Sequence, residues 1–329
     1  MIKPMLSLKE RRKQAASYQS SRLFFIVLMV VITMIWGYAW VLMKQILNYM
    51  GPFVFSSLRF WTGALFLLLL LLCLGRLFQK NVPWKALLVL GSLQTTFVFA
   101  PVMVAMNFVE AGKTSVLLYT MPIWSTLLAS FFLNEKLDRN KVLGMLFGGG
   151  GLILIVGLDA FSRLSWSVLL GEGLILLGAL SWSAANVYFR KRFSGQDKLL
   201  VSAYQMLFGA LGLTVLAALF EWGEPVSING HSLFIIGFTG ILASALCFSV
   251  WYYILDRLDT YSATFSTLLV PCFGVLFGWI ILDEPLTTSL IMGGLLILTG
   301  IGLSQWKGSE NKAYPSKTYQ QVQSFNQDV

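Results

Sequence analysis

The sequence predicts an all-α integral membrane protein, with ten transmembrane helices arranged as two inverted five-helix repeats. Three observations lead there. Of 329 residues, 57% are hydrophobic and only 12% are charged, with a mean hydropathy of +0.73. Soluble domains carry about 25% charged residues, so this chain lacks the polar surface to cover a water-soluble globule of its size. Apolar runs recur along the chain at about the 20 residues that a helix needs to cross a hydrocarbon core about 30 Å thick. Landmark residues of the first half also return in the second at nearly constant spacing.

The ten runs lie at 23–43, 53–74, 86–107, 114–133, 141–158, 168–188, 199–220, 233–254, 262–282 and 289–306. They are nearly continuous rather than alternating, and lipid cannot satisfy open backbone groups, so each reads as a helix and not as a barrel strand. The first run follows the basic stretch "KERRKQAASYQSSR". It is longer than a signal-peptide core, contains Trp36 and leads to no small-residue cleavage site, which makes it a retained helix. Residues 1–22 then form a basic tail, 23–158 and 168–306 the two repeats, and 307–329 a polar tail with too few apolar groups to pack, expected to be disordered. Cys73, Cys247 and Cys272 fall inside predicted helices and read as small packing residues rather than a disulfide or metal site.

A net charge of +9 suggests nucleic acid until the charges are placed. With a cytoplasmic N-terminus, all but four of the 24 Lys and Arg fall in the tails and inner loops. Only Lys44, Lys113 and Arg163 lie in outer loops, and Arg59 lies within a span. That asymmetry is the positive-inside bias, so the basic charge is a topology signal that puts both termini in the cytoplasm of a multi-pass protein of the cell (inner or plasma) membrane. The bilayer is the expected partner, and nucleic acid is not.

The repeat is carried by residues that are informative in so apolar a chain. At an offset of 146, Trp36 matches Trp182, Ala39 matches Ala185, Val41 matches Val187, and "GAL" at 63–65 matches "GAL" at 209–211. At an offset of 149, Pro122 matches Pro271, Glu135 matches Glu284, Gly144 matches Gly293, and Gly151 matches Gly300. Because five helices form each half, equivalent helices enter the membrane from opposite sides. Such inverted repeats suit alternating access, in which one central site opens to either side.

The stretch from "NFVEAGKTSVLLYTMPIW" to "GGGGLILIVG", its partner from "WYYILDRLDTYSATF" to "LILTGIGL", and the early "IWGYAW" resemble the two EamA domains of the drug/metabolite transporter superfamily. The second copy of the first-helix motif, "LSWSAAN", lacks its glycine. The resemblance covers nearly the whole chain between the tails. It implies a ten-helix secondary transporter, often an exporter of amino acids or other small metabolites, with a central cavity lined by helices 1, 3 and 4 and by 6, 8 and 9.

On those helices Trp36, Gln94, Thr95, Thr96, Tyr119, Trp182, Asn186, Ser244 and Ser266 are candidates for a cavity, which is typically apolar and aromatic with a few oriented polar groups. The competing role for each is hydrogen bonding between helices. Pro122 and Pro271 must kink their helices, either as gating bends or as fixed packing features. Glu135 and Glu284 follow their helices at headgroup level and read as structural acids, accepting N–H bonds at the start of the next helix. Arg59, the one cation within a predicted span, is by default a functional candidate, for instance for a carboxylate substrate. At its depth, however, it is expected to snorkel to the outer interface, and its repeat partner is the neutral Gln205. Trp84, Trp222 and Trp306 near span ends read as interfacial anchors. Gly144 and the run 148–151 allow close helix approach, within the bundle or at a homodimer face.

No P-loop and no G-x-S-x-G are present, and the single His231 has no neighbouring metal ligands in sequence. The expectation is therefore a carrier of small molecules, not an enzyme, with no cofactor and no metal. A channel or receptor-like bundle is the alternative, and an integral membrane enzyme a further one. No acid is expected deep in the bundle, which argues against proton coupling through a buried carboxylate.

Overall fold

A computed structural model describes residues 8–77, 82–137, 139–156, 165–283, 286 and 288–305, and among them every regular element is helical. Eight helices are long and apolar enough to cross a membrane. The first, α1, runs Leu8–Ile46, starting well before the expected 23 because the basic segment continues the helix. Then follow α2 Pro52–Cys73, α3 Trp84–Ala105 and α4 Ala111–Phe132. The 18-residue α5, Arg139–Val156, occupies the expected fifth run. The second half repeats the order with α6 Trp166–Phe193, α7 Lys198–Phe220, α8 Gly230–Arg257, α9 Thr260–Leu282 and the 18-residue α10 Thr288–Gln305. Glu284, Trp306, Arg163 and the tail 307–329 lie outside the described residues. Large apolar side chains cover the outside of the bundle, Trp166 at 80% and Phe131 at 78% exposure among them, as lipid-facing surface requires.

Contacts between the halves come in matched pairs. In α5 and α10, a Cβ on Gly151 would lie 2.5 Å from the Gly293 carbonyl oxygen, and one on Gly300 would lie 2.9 Å from that of Gly144. Since Gly144 matches Gly293 and Gly151 matches Gly300, these are one contact made twice. The glycines of the 148–151 run divide accordingly: Gly151 meets α10 and Gly148 meets Phe265 and Leu268 of α9, whereas Gly150 has nothing within 4 Å. The closest approaches are thus used within the chain.

The same reciprocity joins α2 and α7 to α8 and α3. A Cβ on Gly91 would sit 2.5 Å from the Gln205 carbonyl oxygen, and one on the equivalent Gly240 would sit 2.7 Å from that of Arg59, the residue equivalent to Gln205. Gly240 lies within the π-helical segment Phe238–Leu246 of α8, and Gly91 immediately precedes the π-helical segment Ser92–Thr96 of α3. Such segments displace the backbone ladder by one residue and recur at functional positions.

Turns after α4 and α9 match as well. Asn134 and Asp283 have φ of 54° and 52°. Short polar side chains are among the few that adopt this left-handed conformation readily, and the two positions are 149 residues apart.

Candidate functional site

A small cavity lies between the halves. On α1 the residues Trp36, Ala39, Trp40 and Met43 face it, at the i, i+3, i+4, i+7 spacing that puts side chains on one helix face. Arg59 of α2, Phe99 of α3, Tyr119 of α4, Trp182 of α6 and Phe248 of α8 complete the lining. The cavity measures about 20 Å³, room for about one water molecule. A drug-sized ligand needs about 300 Å³ or more, so binding requires the walls to separate.

The walls are mostly aromatic. Trp36 lies edge-on to Trp182 with ring centroids 5.9 Å apart, and Phe248 packs 5.8 Å from Trp36 and 6.1 Å from Trp182. Tyr119 stands 6.1 Å from Trp182. The Trp36 indole N–H donates to the Ala243 carbonyl at 2.8 Å, within the α8 π segment.

Arg59 departs from the expectation. It is 2% exposed, and its side chain turns inward to the cavity instead of snorkelling to the interface. Nε donates to Ser244 Oγ at 2.8 Å and Nη1 approaches Met43 Sδ at 2.7 Å. The guanidinium carbon stands 4.6 Å from the Phe99 ring centroid and 5.0 Å from that of Phe60. The ring faces attract the cation and compete with the interface for it. Helix 2 therefore contributes to the cavity wall, which the family resemblance did not imply. In the other half, Thr95 Oγ1 donates to Gln205 Oε1 at 2.9 Å. Thr95 matches Ser244 and Gln205 matches Arg59, so one contact is built once around an amide and once around a cation.

Of the candidates, Trp36, Tyr119 and Trp182 line the cavity, and Ser244 stands one hydrogen bond behind it. Thr95 is engaged by Gln205, and Thr96 donates to the Gly209 carbonyl. Asn186 ties helices together, accepting from the Trp251 indole at 3.2 Å and reaching Ser125 at 3.3 Å. Ser266 bonds back to the Ser262 carbonyl. Gln94 is fully buried with neither amide atom bonded, and the Trp182 indole N–H also lacks a partner among the described residues. Trp40, Met43, Phe99 and Phe248 were not singled out from sequence, although the spacing from Trp36 to Met43 carried the signal.

α4 is interrupted beside the cavity, at Tyr119, and α9 is interrupted at the repeat-related place, although no α9 residue lines the cavity. In α4 the α-helical hydrogen bonding stops after Leu118 and resumes at Met121, with Pro122 just beyond; in α9 it stops after Ser266 and resumes at Leu269, with Pro271 just beyond. Each proline removes one N–H from the ladder across that break. The breaks are 148 residues apart at both flanks, one less than the proline offset of 149.

Two polar clusters close the ends. At one end Glu135 accepts from the Thr260 amide at 3.0 and 3.2 Å and from its hydroxyl at 2.8 Å. Arg190 lies 3.4 Å from the same carboxylate and donates to the Leu255 and Leu258 carbonyls at the end of α8. Glu135 accepts at a helix start, but the helix is α9 of the other half and not the following α5. The turn geometry points it across the bundle, where unpaired N–H groups of α9 attract a carboxylate. Asp259 beside it caps α9 through the Ser262 amide and pairs with Lys141 at 3.0 Å. Burial raises the Asp259 carboxyl, but Ser262 and Lys141 outweigh that and hold it below its ordinary value. At the opposite end Lys44, the match of Arg190, donates to Met106 and Val109, the matches of Leu255 and Leu258.

Trp84 and Trp222 are 50% and 85% exposed at helix ends, as expected of anchors. The three cysteines are free, and His231 lies against Tyr49 with ring centroids 5.9 Å apart. Among the described residues no His, Cys, Asp and Glu cluster could hold a metal ion.

Comparison with known proteins agrees with this architecture. The EamA-like transporter family matches residues 23–157 and 169–305, one copy per half. The "Uncharacterized transporter YoaV" of Bacillus subtilis (strain 168) is 34% identical over 285 residues, covering 86% of this chain and 97% of that protein. A "Probable amino-acid metabolite efflux pump" of Escherichia coli (strain K12) is 27% identical over 287 residues, covering 84% and 92%. A crystal structure superposes with a TM-score of 0.72 at 19% identity, covering 87% of this chain and 99% of the other, a likeness of fold.

Proposed function

This chain belongs to the EamA-like transporter family, and on that premise we propose that it exports small metabolites, amino acids or drug-like compounds, by alternating access. Ten helices span the membrane, α5 and α10 completing inverted five-helix halves, with both termini cytoplasmic in a cell membrane. Substrate occupies the cavity at Trp36, Tyr119 and Trp182. Pro122 and Pro271 mark the bends about which the outer and inner parts of α4 and α9 swing. The related efflux pump supports amino-acid-like cargo.

One observation carries the reading: the contacts around the cavity occur twice, related by the repeat, at Arg59–Ser244 and Gln205–Thr95 and again at Arg190 and Lys44. Halves joined by equivalent contacts can exchange conformations, so opening one end and closing the other are near-mirror events. The cavity, too small here for a metabolite, fits a closed intermediate between the two open forms.

Counterflow in proteoliposomes tests the proposal. With purified protein and an excess of unlabelled amino acid inside, a labelled one outside is expected to accumulate transiently and saturably. Unsaturable conductance without counterflow identifies a channel and overturns the carrier. Among the described residues no carboxylate is buried, so counterflow is expected to show no steep dependence on an imposed proton gradient. A steep dependence that neutralising one acid removes while counterflow itself persists overturns this expectation.

A further inference from the structure

We infer that Arg59 is the anion receptor of the cavity, and that the transported compounds are small carboxylates with an apolar or aromatic body. The inference rests on the carrier reading above and adds to it the chemical group by which the substrate is held.

A guanidinium removed from water without a counter-charge is costly, by several kcal/mol even after relaxation. Arg59 is 2% exposed, and it meets a hydroxyl, a thioether and two ring faces, all neutral. Among the described residues no carboxylate lies within ion-pair distance of it. Packing does not require the charge, because the equivalent position holds the neutral Gln205, bonded to Thr95, the equivalent of Ser244, there as the acceptor rather than the donor. The protein thus contains the neutral version of this contact and maintains a cation in the other copy, on the side that faces the cavity. A planar fork in a low-dielectric pocket suits bidentate binding of a carboxylate. Around it, Trp36, Trp40, Tyr119, Trp182 and Phe248 offer apolar and aromatic surface for the rest of the molecule. No acid lines the cavity to receive an ammonium group, so the carboxylate is the group selected.

The test compares 3-phenylpropionate and N-acetylphenylalanine with their uncharged amides and with phenethylamine. Binding is followed by tryptophan fluorescence of the purified wild-type protein, which needs no variant, and transport by counterflow. The carboxylates are expected to bind at least about 30-fold more tightly than the amides, the effect of leaving one partner of a desolvated charge pair unmatched. Arg59→Gln is expected to abolish that preference while retaining the fold, and Arg59→Lys to keep part of it. Equal binding of acids and amides by the wild type, or an Arg59→Gln protein that carries carboxylates as well as the wild type, overturns the assignment. Counterflow of only neutral or cationic solutes, unchanged in Arg59→Gln, overturns it while leaving the carrier intact. Absence of counterflow for every solute overturns both.

Discussion

Replacing Glu135 by alanine is expected to destabilise the protein by about 3 kcal/mol and to abolish saturable transport. The carboxylate, 15% exposed, serves the Thr260 amide, the Thr260 hydroxyl and Arg190 at once. Its removal leaves the Thr260 amide at the start of α9 without its acceptor, although Asp259 still caps Ser262, and leaves the Arg190 guanidinium without its counter-charge, beside the end of α8. Glu135→Gln separates the two losses, since an amide oxygen still accepts from Thr260 but does not neutralise Arg190. Chemical unfolding in detergent is expected to rank wild type above Glu135→Gln and Glu135→Gln above Glu135→Ala. If alanine unfolds with the wild-type midpoint, the cross-bundle cap is not a stabilising feature.

Gly240→Ala and Gly91→Ala are the second pair of large effects. Each added methyl would enter the backbone of a facing helix, 2.7 Å from the Arg59 carbonyl oxygen or 2.5 Å from that of Gln205, where no flexible side chain can yield. Overpacking of this kind costs about 1–3 kcal/mol, against a gain of up to about 1 kcal/mol from replacing a helical glycine. The net expectation is destabilisation by about 1–2 kcal/mol in both variants. Gly150→Ala, with nothing within 4 Å, is the control and is expected to be neutral or stabilising. Gly240→Ala should also shift Arg59 away from Ser244 and impair transport of carboxylates more than Gly91→Ala does. Equal stability of all three proteins contradicts the close helix approach.

Much of the helical layout was legible in sequence because a membrane span leaves a long continuous apolar run. The expected 53–74 and 199–220 fall within one residue of Pro52–Cys73 and Lys198–Phe220. The start of α1 was not legible, since a polar segment that continues a helix has no apolar signature. The repeat was legible through Trp, Pro, Glu and Gly, and the structure extends it to Thr95 with Ser244 and Lys44 with Arg190, where the side chains differ but the contacts match. The inward turn of Arg59 was hidden because depth along a helix does not fix which face a residue occupies; the rings of Phe60 and Phe99 decide that. The partner of Glu135 was hidden because Thr260 is 125 residues away and meets it only through packing. The π segments left no local signal, as their register follows from the close contacts at Gly91 and Gly240. Trp36 and Trp182 were readable as cavity residues, whereas Asn186 and Ser266 carry the same polar character and are spent on helix contacts.

The central claim is that the two ends of the bundle open in alternation around one cavity. Spin labels at Leu137 and Arg257 span the end held by Glu135 and Thr260, and the repeat-related Leu286 and Phe108 span the opposite end. Pulsed electron–electron distance measurements on each pair, in lipid and across a titration with a transported carboxylate, are expected to show two populations per pair. The fraction of long distances at one end should rise as that at the other falls. A single unchanging distance at both ends, in protein that still performs counterflow, would contradict alternating access.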